Sequence, residues 1–124
     1  MATPSSKEIT TFLVTQAEMF SAGRIDDFLA TFKQIAPGGF KVQDPATAPV
    51  REGWHILEEL CRQYVGWKLT VEDVKVSGAE AAIYVRNEGV FEGQPVVAYS
   101  IEHYVFDEDG SLLARYFHPT PPDA

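Results

Sequence analysis

The chain has 124 residues and a formal net charge of −8, with 18 Asp and Glu against 10 Lys and Arg. This length predicts a single domain over residues 1–124 that buries about two-thirds of the surface exposed by the unfolded chain. Because 45% of the residues are hydrophobic and 23% are charged, a wholly disordered chain is excluded. The excess of acidic residues argues against nucleic acid and anionic membrane surfaces as partners.

The sequence contains few signals for metals, disulfides or membranes. Cys61 is the single cysteine, so neither an internal disulfide nor a multi-cysteine metal site is expected. The chain also lacks a glycine-rich phosphate loop and a His/Cys cluster at metal-binding spacing. No apolar run approaches the roughly 18 residues of a membrane span, and Met1–Lys7 has no signal-peptide core. We therefore expect a cytoplasmic protein that needs no cofactor or metal.

The first third of the chain predicts two helices. Ser5 and Glu8 have the spacing of a capping box at the start of the first helix, and Gly23 supplies its stop. The second helix ends before Pro37. On both helices the apolar residues recur at three- and four-residue spacing: Ile9, Phe12, Leu13 and Phe20, then Ile25, Phe28, Leu29 and Phe32.

The rest of the chain predicts one more helix and a sheet. Phe40–Asp44 is an extended run closed by Pro45, and Arg51-Glu52-Gly53 leads into a third helix that ends near Gly66. Short polar turns then separate the strands of an antiparallel meander. We expect about residues 5–118 to be structured and a frayed tail over residues 119–124. The predicted strands are Lys68–Val76, Ala81–Glu88, Gln94–Phe106 and Ser111–Pro119.

This order of elements is typical of the α+β class, with three N-terminal helices packed into a curved antiparallel sheet. A sheet wrapped around a helix leaves a cone-shaped interior. That interior is where a pocket for a small hydrophobic molecule is expected.

Three polar residues fall on faces that the periodicity assigns to the interior. Gln16 lies within the apolar stripe of the first helix, where it is either a site residue or an amide bonded to nearby backbone or water. Asp44 shares strand parity with Phe40 and Val42. It is either a general base, favoured by desolvation, or an exposed residue that initiates an Asp-Pro turn.

Glu102 lies in the middle of a strand that is apolar on both faces. A carboxylate there is costly unless it is paired or protonated, so the alternatives are a functional acid and an ion pair with Arg86 or Arg115. Arg115 itself is either a buried counter-ion or an edge residue. His103 faces the other way and is interpreted as a packing or interface histidine.

Taken in this order, the elements resemble the nuclear transport factor 2-like superfamily, whose folds are cone-shaped α+β barrels. Within it the chain resembles the SnoaL-like polyketide cyclases and ketosteroid isomerases, from about Glu8 to His118. Val42-Gln43-Asp44-Pro45 is similar to the isomerases' Val-Glu-Asp-Pro, and Ile101-Glu102-His103-Tyr104 to their Ile-Asp-His-Phe. These motifs are stronger evidence for the fold than for the reaction, since one fold hosts many functions.

The resemblance implies a role for each polar residue. Asp44 matches a general base that takes a proton from carbon next to a ketone. Glu102 matches an aspartic acid that stays neutral and donates a hydrogen bond to the enolate oxygen, a case for which ketosteroid isomerase is the known example. Gln16 matches the position of the family's oxyanion-hole tyrosine, counted back from Gly23. An amide is a weaker donor than a phenol, and glutamate is longer than aspartate. Steroid isomerisation is therefore less favoured than the broader class of reactions that begin with proton abstraction next to a carbonyl.

We therefore expect a small cofactor-free enzyme of the isomerase, cyclase or dehydratase type, acting by proton abstraction next to a carbonyl. The alternatives are a non-catalytic binding or dimerisation module and an epoxide-opening hydrolase, which would need a further carboxylate near Arg115. By resemblance a homodimer is expected, packed through the outer sheet face with Val97, Tyr99, Ile101, His103 and Val105. The candidate substrate-binding residues are Phe20, Trp54, Tyr64, Trp67, Val85, Asn87, Arg115 and Phe117.

Overall fold

A computed structural model describes residues 3–120 of the chain. Within this span the chain forms three helices and a six-stranded sheet, in an α+β arrangement. The helices are α1 (Ser6–Ser21), α2 (Ile25–Ile35) and α3 (Trp54–Gln63). The strands are β1 (Gly39–Gln43), β2 (Arg51–Glu52), β3 (Lys68–Ser77), β4 (Glu80–Phe91), β5 (Gln94–Phe106) and β6 (Ser111–Phe117). Of the tail expected to fray, residues 121–124 lie outside the described residues.

Helix α1 begins at the predicted capping box. The Ser5 hydroxyl accepts a hydrogen bond from the Glu8 backbone N–H, and the Glu8 carboxylate accepts one from the Ser5 N–H, both at 3.1 Å. Two backbone donors that the helix itself leaves unpaired are thereby satisfied. One face of the helix is buried against the sheet, and Gln16 on that face is only 3% exposed. The placement of Gln16 in the apolar stripe is therefore confirmed.

The sheet order is β2-β1-β6-β5-β4-β3. Strands β3 to β6 form the expected antiparallel meander. The sheet as a whole is mixed, because β1 runs parallel to β6 with Val42 opposite Ala114. The short strand β2 and this parallel pair are features that the sequence did not predict. Since the two strands run in the same direction, the residues following β1 and the residues following β6 meet at one end of the sheet.

The core lies between the helices and the inner face of the sheet. Phenylalanines from three elements form its centre. The ring centroid of Phe32 lies 4.8 Å from those of Phe12 and Phe28 and 5.9 Å from that of Phe40. All three ring pairs take edge-on or tilted orientations that aromatic quadrupoles favour. Among residues 3–120, no helix is both long enough and apolar enough to cross a lipid bilayer.

The outer face of the sheet carries a row of exposed apolar side chains. Tyr84, Ile101 and Phe117 are cross-strand neighbours on β4, β5 and β6, and each is 38–41% exposed. Tyr99 stacks on Tyr84 with ring centroids 5.2 Å apart. This row overlaps the surface through which the resemblance implies a homodimer, and the dimer remains a prediction.

We expect the wild-type protein to sediment as a dimer at micromolar concentration, and Ile101→Asp to sediment as a monomer, because it places a charge in the centre of the apolar row. Val50→Asp is the matched control, since Val50 is equally apolar and 50% exposed in the loop before β2. Analytical ultracentrifugation of the three proteins checks this. A wild-type monomer would contradict the predicted interface.

Candidate functional site

A cavity of about 250 Å³ lies between the helices and the inner face of the sheet. All three helices and strands β3 to β6 contribute to its wall, which is mostly apolar and aromatic. No lysine or arginine occurs among the described residues that line it. Seven of the residues singled out in the sequence line this cavity: Gln16, Phe20, Asp44, Tyr64, Trp67, Asn87 and Glu102.

Four candidate substrate-binding residues lie elsewhere. Trp54 stacks on Phe40, with ring centroids 5.8 Å apart, and does not line the cavity. Val85 is 1% exposed and packs within the filled part of the interior. Arg115 and Phe117 face the outer side of β6, since residues two apart on a strand share a face and the inner face carries Ala114.

Arg115 is not a counter-ion for Glu102. Its Nε–H donates to Gln43 Oε1 at 2.9 Å, on the outer face of the β1–β6 pair. Arg86, the other cation considered as a partner of Glu102, pairs with Glu88 at 3.2 Å. Among residues 3–120, the cavity therefore lacks the arginine around which the epoxide-opening alternative would be built.

Glu102 is instead held by hydroxyl groups. The Tyr104 hydroxyl donates to Glu102 Oε1 at 2.5 Å, and the Ser100 hydroxyl donates to Oε2 at 3.0 Å. The Asn87 amide donates in turn to the Ser100 oxygen at 3.1 Å. Ser100, Glu102 and Tyr104 lie on the inner face of β5 because they alternate with outward-facing residues. Glu102 is only 9% exposed.

Burial raises the pKa of the Glu102 carboxyl group above its usual value. The hydrogen bonds from Tyr104 and Ser100 act in the opposite direction but do not cancel the effect of burial, and the nearby Asp44 carboxylate raises the pKa further. Burial together with Glu102 also raises the pKa values of Tyr104 and Tyr116. A neutral Glu102 has one O–H to donate, which an ionised carboxylate lacks.

Asp44 follows β1 directly and lies beside His118, which follows β6. His118 Nε2 and Asp44 Oδ1 are 2.6 Å apart. The Asp44 side chain is 18% exposed, whereas that of His118 is 55% exposed. The parallel pairing of β1 with β6 explains why residues 74 positions apart in sequence meet. Asp44 thus presents a carboxylate to the cavity, and a solvent-facing imidazole fixes its orientation.

Gln16 approaches the same cavity from α1. Its Nε2 donates one hydrogen bond to the Leu13 carbonyl oxygen at 2.9 Å. A side-chain amide carries two N–H donors and a carbonyl oxygen, so one N–H and the oxygen are left over. Gln16 is therefore bonded to nearby backbone and also keeps a donor that a bound oxygen atom could use.

Several cavity residues were not identified from the sequence: Ser100, Tyr104, Tyr116, His118 and Cys61. Strand parity places Tyr104 on the same face as Glu102 but does not show where its hydroxyl goes. His118 could have been found only by pairing the ends of β1 and β6. Burial raises the pKa of Cys61 to about 11, so this cysteine is a neutral thiol in the wall.

Comparison with solved structures agrees with this architecture, whereas comparison of sequences finds no match. No protein-family model matches the chain, and no curated protein matches it in sequence. Among solved structures, the epoxide hydrolase/cyclase-like enzyme SalBIII, described in pyran ring formation in the polyether salinomycin, superposes with a TM-score of 0.75. It is 15% identical, and the match covers 90% of each chain.

Two further structures have the same fold. A protein from Jannaschia sp. CCS1 named as a SnoaL-like polyketide cyclase has a TM-score of 0.72 and 17% identity, covering 94% of this chain and 89% of its own. An NTF2-like protein of unknown function from Cytophaga hutchinsonii ATCC 33406 has a TM-score of 0.57 and 18% identity, covering 86% of this chain and 97% of its own. At such identities the likeness establishes the fold. The chain therefore has the fold that these proteins share, the cone-shaped α+β fold of NTF2-like proteins.

Proposed function

We propose that this protein is a cofactor-free enzyme that abstracts a proton from carbon next to a carbonyl group of a hydrophobic substrate. The reaction would be of the ketosteroid isomerase or polyketide cyclase type. The observation that carries the proposal is the pair of carboxyl groups on one apolar cavity, set in opposite environments. Asp44 is partly exposed and bonded to an imidazole, whereas Glu102 is buried and has a raised pKa. Such pairs are suited to divide the roles of base and acid.

In this proposal Asp44 is the general base. Its carboxylate takes the proton from the substrate carbon, and the electron pair of the C–H bond moves into an enolate. The hydrogen bond between Asp44 Oδ1 and His118 Nε2 holds the carboxylate in one orientation. In an isomerisation the proton then returns from Asp44 to a different carbon. In a cyclisation the enolate carbon attacks a second carbonyl carbon, the C=O π electrons move to that oxygen, and the oxygen takes the proton back from Asp44.

Glu102 is the proposed donor to the enolate oxygen. In its neutral form the carboxyl O–H donates to that oxygen, while Tyr104 and Ser100 bind the two carboxyl oxygens and fix their position. The remaining N–H of Gln16 is a second donor. Donors that are fixed before the reaction stabilise developing negative charge more effectively than donors that must reorient.

One observation favours a second candidate, a non-catalytic small-molecule-binding module of the same fold. Both oxygens of Glu102 already accept hydrogen bonds from neighbouring hydroxyls, as in a structural polar network inside a core. In this case the cavity would bind an apolar ligand and Glu102 would only specify the packing. The cavity volume of about 250 Å³ lies just below the usual range for ligand sites, about 300–1,000 Å³.

Proton exchange in D₂O separates the two candidates without knowledge of the final product. We expect the protein to catalyse deuterium incorporation next to the carbonyl of a 5-ene-3-ketosteroid or a β-keto ester, followed by ¹H NMR. Product formation from the same compounds is measured in parallel. Saturable binding of these compounds with exchange no faster than in buffer would support the binding module and contradict the enzyme.

A further inference from the structure

The indole of Trp67 lies flat against the backbone of Gly89. A Cβ atom built on Gly89 would overlap Cγ, Cδ2 and Cε2 of Trp67, three atoms of the indole ring system. The face of the indole therefore covers the Gly89 Cα. Any larger residue at position 89 would have to displace the indole, because these are ring atoms rather than the end of a flexible chain.

Trp67 forms an aromatic corner of the cavity together with Tyr64. The two rings meet edge to face, with centroids 5.6 Å apart and planes at 84°. They are joined by a turn in which the Trp67 N–H donates to the Tyr64 carbonyl at 3.1 Å. Gly66 within the turn has a φ of +91°, a conformation that favours glycine. Tyr64 is 38% exposed and Trp67 is partly buried, so this corner lies where the cavity meets solvent.

The aromatic corner adjoins the polar chain that ends on Glu102. Asn87 lies two residues before Gly89 on β4, and residues with this spacing point to the same face of a sheet. From Asn87 the hydrogen bonds run to Ser100 and on to Glu102. Trp67, Asn87 and Glu102 line the same cavity. A ligand whose oxygen reaches Glu102 would thus have its apolar body beside the indole.

We propose that Trp67, held in place by the bare backbone of Gly89, is a specificity-determining residue that selects ring-shaped, planar carbonyl compounds over flexible acyclic ones. A planar ring can stack on or meet the edge of the indole, which adds to the gain from burying its apolar surface. A flexible chain gains only the burial and loses rotational freedom when it is bound. This inference depends on one part of the proposed function, namely that the cavity binds a carbonyl compound.

Binding of two ketones with eight carbons each tests the proposal. Isothermal titration calorimetry of the full chain with acetophenone and 2-octanone should show about fivefold tighter binding of acetophenone, the size expected for one aromatic contact. Gly89→Ala, which displaces the indole, and Trp67→Leu, which removes it, should each bring the two affinities to within about twofold. Val90→Ala, at the neighbouring exposed position, should keep the wild-type preference.

Near-ultraviolet circular dichroism and thermal melting show whether each variant is folded, and Trp67→Leu provides the test if Gly89→Ala does not fold. Equal binding of the two ketones by the wild-type protein would overturn the proposal. So would a preference that persists in a folded Trp67→Leu variant. Because binding requires no turnover, a ring preference without proton exchange would contradict the proposed enzyme and leave this inference standing.

Discussion

Asp44→Asn should reduce the rate of proton exchange and of product formation by about 10³-fold, within the range that general bases contribute. The amide has nearly the shape of the carboxylate but cannot accept the substrate proton. The loss should fall mainly on kcat, because the apolar wall that binds the substrate is unchanged. Steady-state kinetics on whichever carbonyl compound is turned over, together with deuterium exchange, measures this effect.

Asp73→Asn is the matched control for this experiment. Asp73 lies on β3 with its side chain 57% exposed and pairs with Lys75, and it does not line the cavity. The control variant should keep wild-type kinetics. If Asp44→Asn also kept them, Asp44 would not be the base, and its contact with His118 would be a feature of the turn alone.

Glu102→Gln should lower activity by about 10²-fold, since removing one donor to a developing oxyanion typically costs 10²–10³-fold and the amide N–H retains part of the effect. The substitution should also change the pH profile. In the proposed mechanism the neutral acid is the active form, so wild-type activity should fall as pH rises through the raised pKa of Glu102. The variant has no titrating group at this position, so that alkaline decline should disappear.

The same substitution lowers activity but should stabilise the folded protein, relative to wild type, increasingly as pH rises. The pKa of Glu102 is raised in the folded protein, so its stabilising effect is complete below the unfolded pKa and is lost as pH rises through the folded value. Above that value the protein must either ionise a buried carboxyl group or unfold. Glu102→Gln avoids this cost, so its melting temperature relative to wild type should increase with pH.

Glu88→Gln is the control for both measurements, because Glu88 lies on the neighbouring strand with its side chain 44% exposed. Melting curves of the three proteins from about pH 5, just above the usual pKa of a glutamate, to about pH 9 measure this effect. A Glu102→Gln variant whose melting temperature stayed at a constant offset from wild type would show that Glu102 does not ionise in this range.

Local periodicity was sufficient to predict much of the fold and part of the site. The three- and four-residue spacing on α1 placed Gln16 on the buried face, and the two-residue period of β5 placed Glu102 inside. The parity of Phe40 and Val42 placed Asp44 at the cavity. In each of these cases one face is clearly apolar, so that one polar residue stands out.

The prediction did not succeed where periodicity was ambiguous or where partners were distant. Strand β6 is largely apolar on both faces, so its pattern does not show which face is inner. Arg115 and Phe117 were therefore included among the candidate cavity residues, although Ala114 and Tyr116 occupy the inner face. The pairing of β1 with β6 joins segments about 70 residues apart, which a local pattern does not reveal. For the same reason His118 was not linked to Asp44.

The parallel contact between β1 and β6 has a consequence for protein synthesis. The wall that positions Asp44 is completed only when β6 has paired with β1, and the partner of Asp44 follows β6. A nascent chain with its helices and first strands already folded would have an open cavity and an unsupported carboxylate. The last part of the cavity to be translated is the part that holds Asp44, the proposed base, so the proposed activity would begin only after residue 118 has left the ribosome and docked.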